Sequence, residues 1–235
     1  MIVTFNGVAS TTFPEIVSIM RVSRPLGPDM YLQGSEIVGR DGVYYFSKNR
    51  KPLLISFRIA TLAASASARR TLARQLSAWL DTDAPAALSF SDESGKRYQA
   101  VLVDGVNFDE FALIGMADVT FFVPSGYAEA TSPKTAGPNA GTMPAPVVIT
   151  ATMGGSASAF QINLGSQYLR FEDTLVASDV LVFNTETGLV TKNGADARNK
   201  LTYASDFFLL PVGSFSFTVA PVGTPYTISF RERWK

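Results

Sequence analysis

Three pairs of adjacent carboxylates, Asp92-Glu93, Asp109-Glu110 and Glu172-Asp173, are the residues best suited to acid-base chemistry in this chain. A glycosidase needs two carboxyl groups facing each other across a cleft. Adjacent strand residues point to opposite faces, so no single pair supplies that geometry, and turn or strand-end charge is the simpler reading. Asp81 and Asp83 could share a calcium ion, but the oxygen-rich run of a calcium loop is missing around them. The stretch MGGSAS, Met153 to Ser158, is Gly-rich yet has no Lys and precedes a strand, so it reads as a hairpin loop and not a phosphate cradle. Histidine and cysteine are both absent. That removes the usual zinc ligands, the thiolate nucleophile, disulfides and the commonest neutral-pH acid-base group. The expectation is no catalytic residue, no metal and no cofactor.

With reactive groups set aside, surfaces must carry the function. Lys+Arg and Asp+Glu each total 20, with 13 of each sign in residues 1–141 and 7 of each in 142–235. Neither part has the basic excess that phosphate neutralisation or an anionic membrane requires, so nucleic-acid and membrane binding are not expected. The start, MIVTFNGVASTTF, has no basic leader or continuous apolar core, and the longest apolar runs are too short to span a bilayer. A soluble product of cytoplasmic synthesis is expected. Hydrophobic residues make up 46% and charged residues 17%, enough apolar material for one large or two smaller β domains.

Period-two alternation dominates the elements. Leu53, Ile55, Phe57 and Ile59 alternate with Leu54, Ser56 and Arg58, and the pattern recurs at Phe160/Ile162/Leu164, Phe215/Phe217/Val219 and Tyr226/Ile228/Phe230. Asn6-Gly7, Asp41-Gly42, Asp104-Gly105 and Asn193-Gly194 read as hairpin tips. One helix is predicted near 65–81, with Leu72, Leu76, Trp79 and Leu80 on one stripe and Arg69, Arg70 and Arg74 away from it. Ser65 or Ser67 can cap it, and Pro85 blocks its continuation. Residues 132–145, SPKTAGPNAGTMPA, have linker composition. The predicted organisation is mainly β: an N-terminal β-sandwich with one helix and a long hairpin over 1–131, a linker, and an all-β sandwich or jelly roll over 146–235. Trp234, one residue from the end, implies an anchored C-terminus, with the first domain as one place it could pack.

Several strings, in order, resemble the distal tail proteins of long-tailed bacteriophages, the siphophages. They are RPLGP (Arg24 to Pro28), VGRDGVY (Val38 to Tyr44), the helix end Trp79-Leu80, LSFSDESGKRYQAVLVDG (Leu88 to Gly105), GMADVTFFVPSGYA (Gly115 to Ala128) and FFLLPVGSFSFTV (Phe207 to Val219). The chain departs from the family at Val38, where Pro is common, and at Ser214-Phe215, which replaces a Gly-x-Asn near Gly213. The resemblance implies a structural virion protein at the distal end of the tail, assembled in the host cytoplasm. In it, six N-terminal domains close into a ring and a galectin-like C-terminal sandwich projects outward. It implies contacts with the tail tube, the tape measure, the tail-associated hub or lysin protein and peripheral receptor-binding or adhesion proteins. Galectin-like names a fold, and sugar binding does not follow from it.

On this reading EIVGRDGVYYF, Glu36 to Phe46, becomes a candidate ring interface, with arms Ile37-Val38 and Val43 to Phe46. Tyr44, Tyr45 and Phe46 would supply apolar area, and Arg40 and Asp41 would fix register by charge-assisted hydrogen bonds to a neighbour. A different class of reading is a carbohydrate-binding or adhesin module using Tyr168, Phe171, Tyr203 and Trp234 of the second sandwich.

Overall fold

The alternation over Leu53–Ile59 forms the spine of the first half of the molecule. The computed structural model describes residues 1–103, 108–111 and 113–235, and the chain divides into two units, Met1–Glu129 with Lys235, and Ala130–Trp234. The predicted Asp104-Gly105 tip lies outside the described residues. The first unit begins with β1 (Val3–Phe5), β2 (Val8–Ala9), β3 (Ile16–Ser23), β4 (Met30–Glu36), β5 (Val43–Arg50) and β6 (Leu53–Leu62). After the helix α1 (Ala66–Leu80) come β7 (Ala86–Phe90), β8 (Lys96–Leu102), β9 (Phe108–Phe111), β10 (Ile114–Val123) and β11 (Ala128–Ala130).

The main sheet runs β2-β1-β7-β8-β10-β6-β3, with β9 added on β10. Neighbouring strands lie about 4.8 Å apart, so the three steps from β1 to β10 would separate Phe5 from Phe121 by roughly 14 Å in a flat sheet. Their ring centroids are 4.6 Å apart. Phe57 on β6 and Phe90 on β7, likewise three steps apart, meet edge to face at 6.3 Å. The sheet therefore folds back on itself and encloses one core, in which Ile55, Ile59 and Val119 join these rings.

Helix α1 closes that core. The Ser65 hydroxyl accepts from Ala68 N–H at 3.1 Å, which selects Ser65 over Ser67 as the cap. Leu72, Leu76, Trp79 and Leu80 are buried as their spacing predicts, and Trp79 Nε1 donates to the Phe5 carbonyl at 3.2 Å. Arg69 is also buried, against expectation. It stands one turn before Leu72, and its guanidinium Nε and Nη1 are buried along with its stem.

Strands β4 and β5 pair only with each other among the described residues and form a two-stranded ribbon. Residues 37–42 form its tip, so Ile37 and Val38 belong to the turn and not to an arm as predicted. Gly39 and Gly42 both take left-handed backbone, at φ +85° and +86°, and Arg40 N–H closes onto the Ile37 carbonyl at 3.1 Å. The chain thus reverses over a longer loop than a two-residue primed turn. At Asn6-Gly7 and Asn193-Gly194 both residues have positive φ, the conformation such two-residue turns require.

The second unit contains β12 (Val147–Thr152), β13 (Ala157–Leu164), β14 (Gln167–Leu175), β15 (Val180–Asn184), β16 (Leu189–Lys192), β17 (Ala195–Asp196), β18 (Phe217–Ala220), β19 (Tyr226–Phe230) and β20 (Arg233–Trp234). A five-stranded sheet, β17-β16-β15-β12-β19, faces a three-stranded sheet, β14-β13-β18. Phe183 of the first sheet stacks on Phe160 of the second at 5.9 Å and meets Phe171 edge to face at 6.3 Å. This is a two-sheet sandwich of the kind the resemblance implies.

Residues 132–145 have linker composition but are pinned within this unit. The side-chain nitrogen of Asn139 donates to the carbonyls of Met143, Leu210 and Pro211 at 3.0, 3.4 and 3.3 Å, while its oxygen accepts from Gly141 N–H at 3.1 Å. Buried Glu232 accepts from Lys134 Nζ at 2.5 Å and Ala140 N–H at 2.7 Å. Pro, Gly and Ala are compatible with a fixed strap when side chains elsewhere satisfy the backbone, and composition cannot reveal those partners. The final residues are held in the same way, with Thr142 N–H donating to the Arg233 carbonyl at 2.9 Å. No helix among the described residues is long and apolar enough to cross a membrane.

Candidate functional site

The carboxylate pairs are used structurally. Asp92 pairs with Arg24, and Glu93 accepts from Lys96 at 2.7 Å and from the Tyr98 hydroxyl at 3.3 Å. Burial, reinforced by Glu93, pushes the Tyr98 phenol up to about 12, so it remains a neutral donor. Glu172 pairs with Arg170 at 2.8 Å, while Asp173 binds Lys192 at 3.1 Å and Lys200 at 3.3 Å. The Lys192 ammonium holds Asp173 below the ordinary carboxylate range. Asp179 is held low first by the Val176 N–H and then by Asn193. Asp173 and Asp179 are therefore stabilised as ions, the reverse of what a proton-transferring carboxyl needs. Asp109 lies on β9, and the side chain of Glu110 is outside the described residues.

Asp81 is the C-cap of α1, its N–H donating to the Ser77 carbonyl at 3.0 Å. Among the described residues no group of three or more acidic, His or Cys side chains could hold a metal ion. The MGGSAS stretch connects β12 to β13 as a hairpin loop. Of the four aromatics that could stack on a sugar, Phe171 is fully buried in the sandwich core and Tyr168 and Trp234 are half-buried. Tyr203 alone stands free, and the four do not form a platform.

The largest concentration of unspent apolar surface lies on the β4–β5 ribbon. All of β4 is exposed, and in β5 only Ser47 and Arg50 are not. The predicted interface residues Tyr44, Tyr45 and Phe46 are 44%, 64% and 66% exposed. The sequence reading missed the exposed apolar residues Met30, Tyr31 and Leu32 on the opposite strand, although the apolar run MYL was visible there. An isolated two-stranded hairpin is marginal in water, and apolar side chains left open on both strands are unusual for a chain that works alone.

Local features shape the ribbon. The register passes from Gln33↔Ser47 to Gly34↔Tyr45, leaving Phe46 as the extra residue of a bulge. A Cβ on Gly34 would lie 2.5 Å from Val43 Cγ1 and 2.6 Å from the Tyr44 carbonyl, so the close approach at the bulge demands glycine. At the base, Lys51 N–H donates to the Asp29 carbonyl at 2.8 Å. The Arg40 guanidinium lies 4.2 Å from the centre of the Tyr44 ring and donates to its hydroxyl. Arg40 thus has a partner within its own hairpin. Asp41 is exposed at the tip.

With this geometry in view, the chain was compared with known proteins. Residues 140–234 match the siphovirus-type tail component, C-terminal domain, and residues 8–123 match the phage tail protein RIFT-related domain. No curated protein sequence matches the chain. Among solved structures, the fold is similar to the SPP1 Dit (gp 19.1) protein, described as a paradigm of the hub adsorption apparatus in phages infecting Gram-positive bacteria. The TM-score is 0.84 at 16% identity, with 100% of this chain and 99% of that one covered. A chain of the phage p2 baseplate in its activated conformation with Sr gives a TM-score of 0.50 at 8% identity, covering 94% of this chain and 91% of that one.

Proposed function

We propose, from the premise that this chain belongs to the siphovirus-type tail component family, that it is a structural protein of the tail-tip hub. In this reading it closes as a homo-hexameric ring between the tail tube and the host-adhesion apparatus. The observation that carries it is the β4–β5 ribbon, an apolar projection exposed on a chain with no net charge. A closed ring of identical copies needs two different complementary surfaces on each subunit, and a projecting ribbon suits one of them. Residues 1–131 would form the ring and 146–235 would project from it. The partners would be the tail tube and tape measure on one side, and the tail-associated hub protein and peripheral adhesion proteins on the other.

The protein acts by contact and not by turnover. The candidate carboxylates Asp92, Glu172 and Asp173 are paired with Arg or Lys, and the chain has no His or Cys. A glycan-binding adhesin is the weaker reading, because Phe171 is spent in the core and Tyr203 stands apart. The protein belongs in the virion, at the distal end of the tail, after assembly in the host cytoplasm.

Mass measurement of the purified full chain tests the ring directly. A six-copy species at micromolar concentration is expected, converting to folded monomer when the ribbon 30–50 is replaced by a short Gly-Ser turn. A chain that stays monomeric at high concentration overturns the proposal.

A further inference from the structure

The two faces of the ribbon differ in a way that strand order alone does not reveal. Cross-strand partners share a face, so the register places Met30, Leu32, Gly34, Glu36, Val43, Tyr45, Lys48 and Arg50 on one side. Tyr31, Gln33, Ser35, Tyr44, Ser47 and Asn49 occupy the other. All three aliphatic side chains of the two strands therefore sit together, beside Tyr45, with Glu36 at one end and Lys48 and Arg50 toward the other. An apolar centre with a charged margin is the anatomy of a protein interface. The strand residues of the second face are uncharged, the Arg40 guanidinium of the tip lies over its Tyr44 ring, and its Gln33 and Ser47 side chains bond to each other. The Ser47 hydroxyl donates to Gln33 Oε1 at 2.8 Å, and the Tyr44 hydroxyl and ring are engaged by Arg40.

We infer that the ribbon docks on a second copy of this chain through the Met30, Leu32, Val43 and Tyr45 face alone, leaving the Tyr44 face in solvent. This rests on the ring reading and specifies the contact. Among the described residues nothing covers the aliphatic face, with Leu32 and Tyr45 both 64% exposed. Strand β4 is seven residues long, which gives a contact of about 23 Å. Met30, Leu32, Val43 and Tyr45 are 36%, 64%, 58% and 64% exposed, and a stable interface takes roughly 800 Å² from each partner, a large share of which this one face can supply. Tyr44 is then a brace for the tip and not a contact residue, which separates it from its neighbour Tyr45.

The chain lacks cysteine, so single cysteines report each face cleanly. Leu32→Cys and Ser35→Cys, made in the full chain, are labelled with a maleimide in the assembled and in the dissociated state. Assembly is expected to slow labelling at position 32 by about tenfold or more and to leave position 35 unchanged. In parallel, Leu32→Asp is expected to abolish the six-copy mass while retaining the folded circular dichroism spectrum, and Ser35→Asp to preserve the six-copy mass. Protection at position 35, or loss of assembly in Ser35→Asp but not in Leu32→Asp, overturns the face assignment and leaves the ring reading intact. A monomeric wild-type chain fails the ring reading itself.

Discussion

The β6–β10 pair and the β4–β5 ribbon are both antiparallel two-strand ladders, and they have opposite fates. Along β6, Leu53, Ile55, Phe57 and Ile59 are buried, and the register with β10 runs unbroken from Ile114↔Leu62 to Val123↔Leu53. Along the ribbon, Met30, Leu32, Val43 and Tyr45 also share a face, across the bulge at Phe46, yet none is buried. Alternation therefore defines a face without saying what it meets. In β6 the second layer is supplied by α1 and by the folded-back sheet within the same chain, and in the ribbon no described residue supplies one.

Removing Phe121, which packs on both Phe5 and Phe57, should test this contrast most severely. Phe121→Ala is expected to cost about 3–5 kcal/mol, read from denaturant unfolding of the full chain. In the second unit, Glu232→Ala deprives Lys134 and Ala140 of their shared acceptor and should cost about 1–3 kcal/mol. Ser65→Ala removes the α1 cap and should cost about 1 kcal/mol, readable as a lower thermal midpoint. Leu32→Ser on the ribbon should change monomer stability by less than about 0.5 kcal/mol while eliminating assembly. A large loss of monomer stability in that variant would mean that the face is covered within one chain, and the contrast would collapse.

The gentlest effect is expected from acid. Asp173 and Asp179 have folded pKa values depressed below the ordinary carboxylate value. Their contribution is present above the unfolded pKa and is lost as pH falls through the folded one. Stability of the second unit should therefore decline below the usual carboxylate range. Lys192→Met should flatten that decline, because Lys192 is the leading partner of Asp173. An unaltered acid profile in Lys192→Met would remove the cluster from the account.

Much of the architecture was legible locally. The spacing of Leu72, Leu76, Trp79 and Leu80 marked the helix stripe, and Asn-Gly pairs marked two tight turns, because both depend on neighbours a few residues away. Arg69 was misread because its charge suggested solvent while its position put its stem on the packed face. The fixing of residues 132–145 was not legible because their anchors, Leu210, Gly213 and Glu232, lie far along the chain. In the candidate interface, Tyr44, Tyr45 and Phe46 stood out as an aromatic cluster, but that Tyr44 and Tyr45 lie on opposite faces required the register and the bulge.

The amino-acid order by itself determined which residues could form strands, turns and one helix. It also determined that the chain has balanced charge and neither His nor Cys. Only the tertiary structure decided that the face of Leu53 is enclosed while that of Leu32 is left open. Side-chain alternation is a property of consecutive residues, whereas burial depends on which distant segments return to cover them, and in the ribbon none of the described segments does.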